Sequence, residues 1–83
     1  MFWLGEEVLD RCVREAVTAV PRSGCRPITA MTVHLLWKAG LVRSCQYMPS
    51  EDDVYLSLLR LSGGGRVARY ADRGTGGIRY VPR

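Results

Sequence analysis

The residues that could act as nucleophiles, bases or metal ligands are few in this chain, and they are scattered. His34 is the only histidine and stands in an otherwise apolar stretch. A packed or surface imidazole fits that setting better than a general base does. Cys12, Cys25 and Cys45 contain no CxxC pair. Together with His34 they are a conceivable Cys3His set, but separations of 13, 9 and 11 residues lack the close ligand pair of structural zinc sites. An odd, widely spaced set of thiols reads instead as buried small hydrophobes in a reducing, cytoplasmic compartment. Glu51, Asp52 and Asp53 form an acidic run of the kind that binds cations, yet one helix N-terminus accounts for all three. The glycines at 63–65 and 74–77 lack the Gly-Lys-Ser/Thr ending of a phosphate loop and read as turns. The expectation is a protein without catalytic residues, metal or cofactor.

Arginine is the remaining chemistry. Eleven of the twelve basic residues are arginine, and the net charge is +4. The charges are also sorted along the chain. Residues 1–20 hold Glu6, Glu7, Asp10 and Glu15 against Arg11 and Arg14. Residues 54–83 hold Arg60, Arg66, Arg69, Arg73, Arg79 and Arg83 against Asp72 alone. A basic third of this kind is the electrostatic footprint of a site for a polyanion, most often nucleic acid. The planar guanidinium fork suits phosphate and guanine edges.

The elements that must carry these arginines follow from periodicity. With 83 residues there is room for one domain, spanning 1–83, and 47% hydrophobic residues are enough to build its core. Residues 6–20 place Leu9, Val13, Ala16 and Val20 on one helical stripe that Cys12 and Val17 widen. Glu7–Arg11 and Asp10–Arg14 are acid-before-base pairs on the exposed side. Pro21 ends the helix. Arg26-Pro27-Ile28 reads as a short extended stretch, and Thr29 as the N-cap of a second helix reaching about Ala39, with Gly40 just beyond its end. Val33, Leu36 and Trp37 are its expected inward face. Leu41 to Pro49 has no clear period. Ser50, with Asp53 three residues on, starts a third helix that reaches about Leu61 with Val54, Leu58 and Leu61 inward. The period then switches to two: residues 66–70 and 78–81 are strands joined by a glycine-rich basic loop, a hairpin across which Tyr70 and Tyr80 are expected to pack. The apolar opening Met1–Leu4 runs into Glu6-Glu7 and is too short for a signal peptide or membrane span.

Helix, short strand, helix, helix, hairpin is the order of a winged helix-turn-helix domain. From about residue 6 to residue 82 the chain resembles that family. The run LLRLSGGGRVARYADRGTGGIRYVP is similar to its passage from recognition helix through glycine turn to wing. The resemblance implies an α+β fold in which a short strand near Ile28 lies beside the wing. It further implies double-stranded DNA as partner, with the third helix in the major groove and the wing on the backbone. Carried over by position, the contacts would be Ser57 and Arg60 on the helix and Arg66, Arg69, Arg73, Thr75 and Arg79 on the wing, with the Gly74 and Gly76 amides near phosphates. A small bacterial or bacteriophage transcriptional regulator or accessory DNA-binding factor fits this size. Dimerisation would use the first helix or the Phe2-Trp3 end.

Two departures from the family pattern bear on groove docking, and the alternative reading, favoured by the acidic start of the third helix and by Phe2 and Trp3, is a protein-interaction module such as a phage protein that binds a host protein. Glu51-Asp52-Asp53 would repel phosphates at the end of the helix nearest the groove. Gly40 to Ser50 is also much longer than the usual turn of about three or four residues. Phe2 and Trp3 would then be available as a partner surface.

Overall fold

The structure, a computed structural model, describes residues 5–41 and 48–83. Phe2, Trp3, Cys45 and Tyr47 lie outside the described residues, as does most of the connection between Gly40 and Ser50. Three helices, α1 (Glu6–Ala19), α2 (Cys25–Lys38) and α3 (Glu51–Gly63), precede an antiparallel hairpin of β1 (Val67–Ala71) and β2 (Ile78–Pro82). This is an α+β layout consistent with a winged helix-turn-helix domain.

α1 and α3 form where the apolar spacing puts them. α1 buries Leu9, Cys12, Val13, Ala16 and Val17 on one stripe, with Glu6 and Glu7 in the first turn facing the positive end of the dipole. α3 opens on a capping box. The Asp53 amide donates to Ser50 Oγ at 3.2 Å, and the Ser50 amide donates to Asp53 Oδ2 at 2.9 Å. Val54, Leu58 and Leu61 point inward as expected, and α3 runs two residues past Leu61.

α2 differs from its expectation. It starts at Cys25 with Gly24 as N-cap, five residues before the anticipated N-cap at Thr29. Pro27 falls in the first turn, where an amide has no intrahelical acceptor to lose, so proline is accommodated there. The Thr29 hydroxyl does not cap; it donates back to the Cys25 carbonyl at 2.8 Å. Ile28 is therefore a core residue of a helix and not part of a strand. The earlier start also selects Ile28, Thr32 and Leu36 as the buried row. Thr32 is tolerated in the core because its hydroxyl donates to the Ile28 carbonyl at 2.8 Å. Val33 is half-buried, and Trp37, expected in the core, is 43% exposed.

The strand expected near Ile28 is reduced to a single bridge, Ser23 to Tyr80, closer to α1. The Arg22 amide donates to the Tyr80 carbonyl at 2.9 Å, and the Tyr80 amide donates to the Ser23 carbonyl at 3.0 Å. Both later helices end in the same way. Gly40 (φ 70°) follows α2 and Gly65 (φ 73°) follows α3, each in the left-handed region that glycine enters without penalty. Around Gly65, the Arg66 amide donates to the Leu61 carbonyl at 2.9 Å, which turns the chain from helix into hairpin.

The hairpin register pairs Val67 with Pro82, Ala68 with Val81, Arg69 with Tyr80, Tyr70 with Arg79 and Ala71 with Ile78. Side chains alternate between faces, so Val67 and Tyr80 share the inner face and are buried. They close one core with Leu9, Val13, Ala16, Val17, Ile28, Val54, Leu58 and Leu61. Tyr70 lies on the opposite face, 41% exposed, so the expected packing of Tyr70 against Tyr80 does not occur.

Candidate nucleic-acid interface

The two α3 residues expected to reach DNA are turned onto α1. Ser57 is fully buried, and its hydroxyl donates to Asp10 Oδ1 at 2.5 Å. Arg60 forms a two-pronged pair with the same carboxylate, Nη2 to Oδ1 at 2.7 Å and Nε to Oδ2 at 3.1 Å. Residues 57 and 60 are neighbours on one helix face, so a single carboxylate can accept from both. Partial burial by itself would raise the Asp10 carboxyl. The hydrogen bonds from Arg60 and Ser57 and the charges of Arg60 and Arg66 outweigh it and hold the group below its ordinary value. Asp10 thus pairs with α3, and the anticipated Asp10–Arg14 and Glu7–Arg11 ion pairs are absent among the described residues.

Apart from the Asp10-paired Arg60, what α3 presents outward is chiefly acidic and apolar. Glu51, Asp52, Tyr55 and Leu56 are exposed, Leu56 by 53%. Glu51 accepts from Arg26 Nε at 3.2 Å on the surface, a pair worth little in stability.

The hairpin has the opposite character. Arg66, Arg69 and Arg73 are exposed and form no ion pair among the described residues. The loop between the strands is organised by Asp72. Its Oδ1 accepts from the Gly74 amide at 3.0 Å, and its Oδ2 accepts from the Thr75 hydroxyl at 3.1 Å and from Arg79 Nε at 3.3 Å. The Gly74 amide and the Thr75 hydroxyl, with help from Arg79, hold the Asp72 carboxyl below its ordinary value against the opposing effect of desolvation. The Gly76 amide donates to the Asp72 carbonyl at 2.7 Å. The anticipated phosphate ligands in the loop, the Gly74 and Gly76 amides and the Thr75 hydroxyl, are therefore committed to shaping the loop. Arg79 is half-buried and braced by Asp72, with one edge of its guanidinium already bonded.

Of the seven expected contacts, Arg66, Arg69 and Arg73 are exposed and unpaired among the described residues, Arg79 and Thr75 belong to the loop framework, Ser57 is buried, and Arg60 is exposed but paired with Asp10. Reasoning from sequence missed Asp10 and Asp72 as organising carboxylates. Asp72 carries a signal, since an Asp two residues before a glycine in a tight loop can accept from that glycine's amide. Asp10 carries none that a single helix shows, because both its partners lie in α3.

Among the described residues no three His, Cys, Asp or Glu side chains converge on a metal position. A Cys3His set would depend on Cys45, which lies outside them. Burial raises the thiols of Cys12 and Cys25, so neither has the lowered value of an activated nucleophile. No helix among the described residues is long and apolar enough to cross a membrane. No known family model matches the chain, and no curated protein is significantly similar to it.

Proposed function

We propose that the domain binds DNA through its phosphate backbone, using the hairpin and not the third helix. The observation that carries this is the trio Arg66, Arg69 and Arg73, exposed on one hairpin and, among the described residues, engaged in no ion pair. Free guanidinium groups can hold phosphate oxygens bidentately, and the release of condensed counterions supplies affinity. α3 offers no comparable chemistry: its arginine is occupied and its exposed carboxylates repel phosphate. Backbone contacts alone fix position without reading sequence. The role that follows is an accessory or architectural DNA-binding factor of the cytoplasm, or a regulator whose sequence choice comes from elsewhere.

The test is fluorescence anisotropy of labelled DNA titrated with the protein at low and near-physiological salt. Affinity that falls steeply as salt rises is expected, by about 0.9 in log K per log salt for each duplex phosphate neutralised. Absence of binding at low salt overturns the reading. That result would favour a second one, a protein-interaction module. The exposed Tyr55 and Leu56 beside Glu51 and Asp52 suit a basic, apolar protein partner.

A further inference from the structure

The hairpin has two faces, and its arginines are divided between them. Arg69 shares the inner face with Val67 and Tyr80, while Arg73 sits in the loop. The outer face is formed by Ala68 opposite Val81 and Tyr70 opposite Arg79. The ladder continues one residue further, because the Arg83 amide donates to the Arg66 carbonyl at 3.2 Å. That bond puts Arg66 and Arg83 directly across from each other on the outer face as well. Two like charges at cross-strand neighbouring positions repel, a cost that an anion lying between them would remove.

At the other end of the same face, Tyr70 is 41% exposed. Its cross-strand neighbour Arg79 is held by Asp72 Oδ2 at 3.3 Å and by the Thr75 hydroxyl at 3.5 Å. The small side chains of Ala68 and Val81 leave the surface between the two ends low. An aromatic ring and a paired-arginine site, four strand residues or roughly 13 Å apart on a cationic face, suit a short single strand: one base to stack and a phosphate further along to hold. A duplex offers no free base face to Tyr70, and the acidic outer face of α3 opposes insertion into a groove.

We propose that the outer face of the hairpin is a platform for unpaired nucleic acid, with a base stacked on Tyr70 and the backbone held by Arg66 and Arg83. This inference rests on the phosphate-binding reading above and narrows its ligand to single strands.

The experiment compares a fluorescein-labelled oligothymidylate of about 15 nucleotides with a blunt duplex of the same length, at one low salt concentration, for the native protein and for Tyr70→Ala and Tyr70→Phe. Melting temperatures confirm that both variants fold, which the exposure of Tyr70 favours. The expected result is tighter binding of the single strand by the native protein. Tyr70→Ala should lose roughly 5- to 100-fold of that affinity, the range that loss of one stacked base gives, while Tyr70→Phe retains it. Duplex affinity should be the same in all three proteins. Equal or better binding of duplex, or single-strand binding indifferent to Tyr70→Ala, overturns the platform and leaves the phosphate reading standing. So does a Tyr70→Ala loss that is equal on both probes. Binding of neither probe overturns both readings.

Discussion

Arg60 at the end of α3 and Arg69 in the middle of β1 are the same residue type in neighbouring elements, yet the fold gives them opposite employment. Arg60 spends its guanidinium fork on Asp10, which also takes the hydroxyl of buried Ser57, so the polar groups of α3 stitch it to α1. The hairpin keeps its single carboxylate, Asp72, for its own loop and leaves Arg66, Arg69 and Arg73 to the solvent. The difference shows that a polar side chain's place on a helix does not by itself leave it free for a ligand. What matters is whether a carboxylate elsewhere in the fold reaches the arginine first.

Substitutions can break this contrast. The largest effect is expected from replacing Arg66, Arg69 and Arg73 together with alanine. DNA affinity should fall roughly a hundredfold at about 0.1 M salt, and the slope of log K against log salt should flatten by about two to three. Arg60→Ala, measured in the same anisotropy assay, should leave affinity within about twofold. A larger loss for Arg60→Ala than for the triple variant would reverse the assignment of the two regions.

Asp10→Ala sharpens the other half of the contrast. It leaves the buried Ser57 hydroxyl without its acceptor and Arg60 without its partner. A cost of about 2 kcal/mol is expected, lowering the melting temperature by about 10 °C with no change in DNA affinity of the folded protein. The native pair also has a pH signature. Because the folded Asp10 carboxyl is held below its ordinary value, its contribution is full above the ordinary carboxylate range and is lost as pH falls through the folded value. Thermal melts from neutral pH into the acid range should therefore fall less steeply for Asp10→Ala than for the native chain. Parallel curves would show that the pair does not stabilise the fold.

Gly65→Ala tests the joint between the two regions and is the mildest of these changes. At φ 73° a side chain costs about 1–2 kcal/mol, although nothing crowds the position. Denaturant unfolding should register that loss.

Much of the fold was legible in the chain because it was written locally. The stripe of α1, the capping box at Ser50 and the change of period after Gly65 each depend on residues within a turn or two of one another. What was not legible depended on partners far away in sequence. Pro27 looks like a strand residue until its place in the first turn of α2 is known, and that shift moved Ile28 into the core and Trp37 out of it. Arg60 and Ser57 look like free polar residues until α1 is packed beside them. The basic character of the hairpin is plain from its arginines, but which of them are unpaired depends on where Asp72 sits.

The most direct test of the hairpin's assigned role is a set of amide 15N–1H spectra recorded as a short DNA oligomer is added. The expected result is that shift changes cluster in residues 66–83 while the amides of α3 from Asp52 to Leu61 stay in place. Changes concentrated along α3, with the hairpin amides unmoved, would contradict the account.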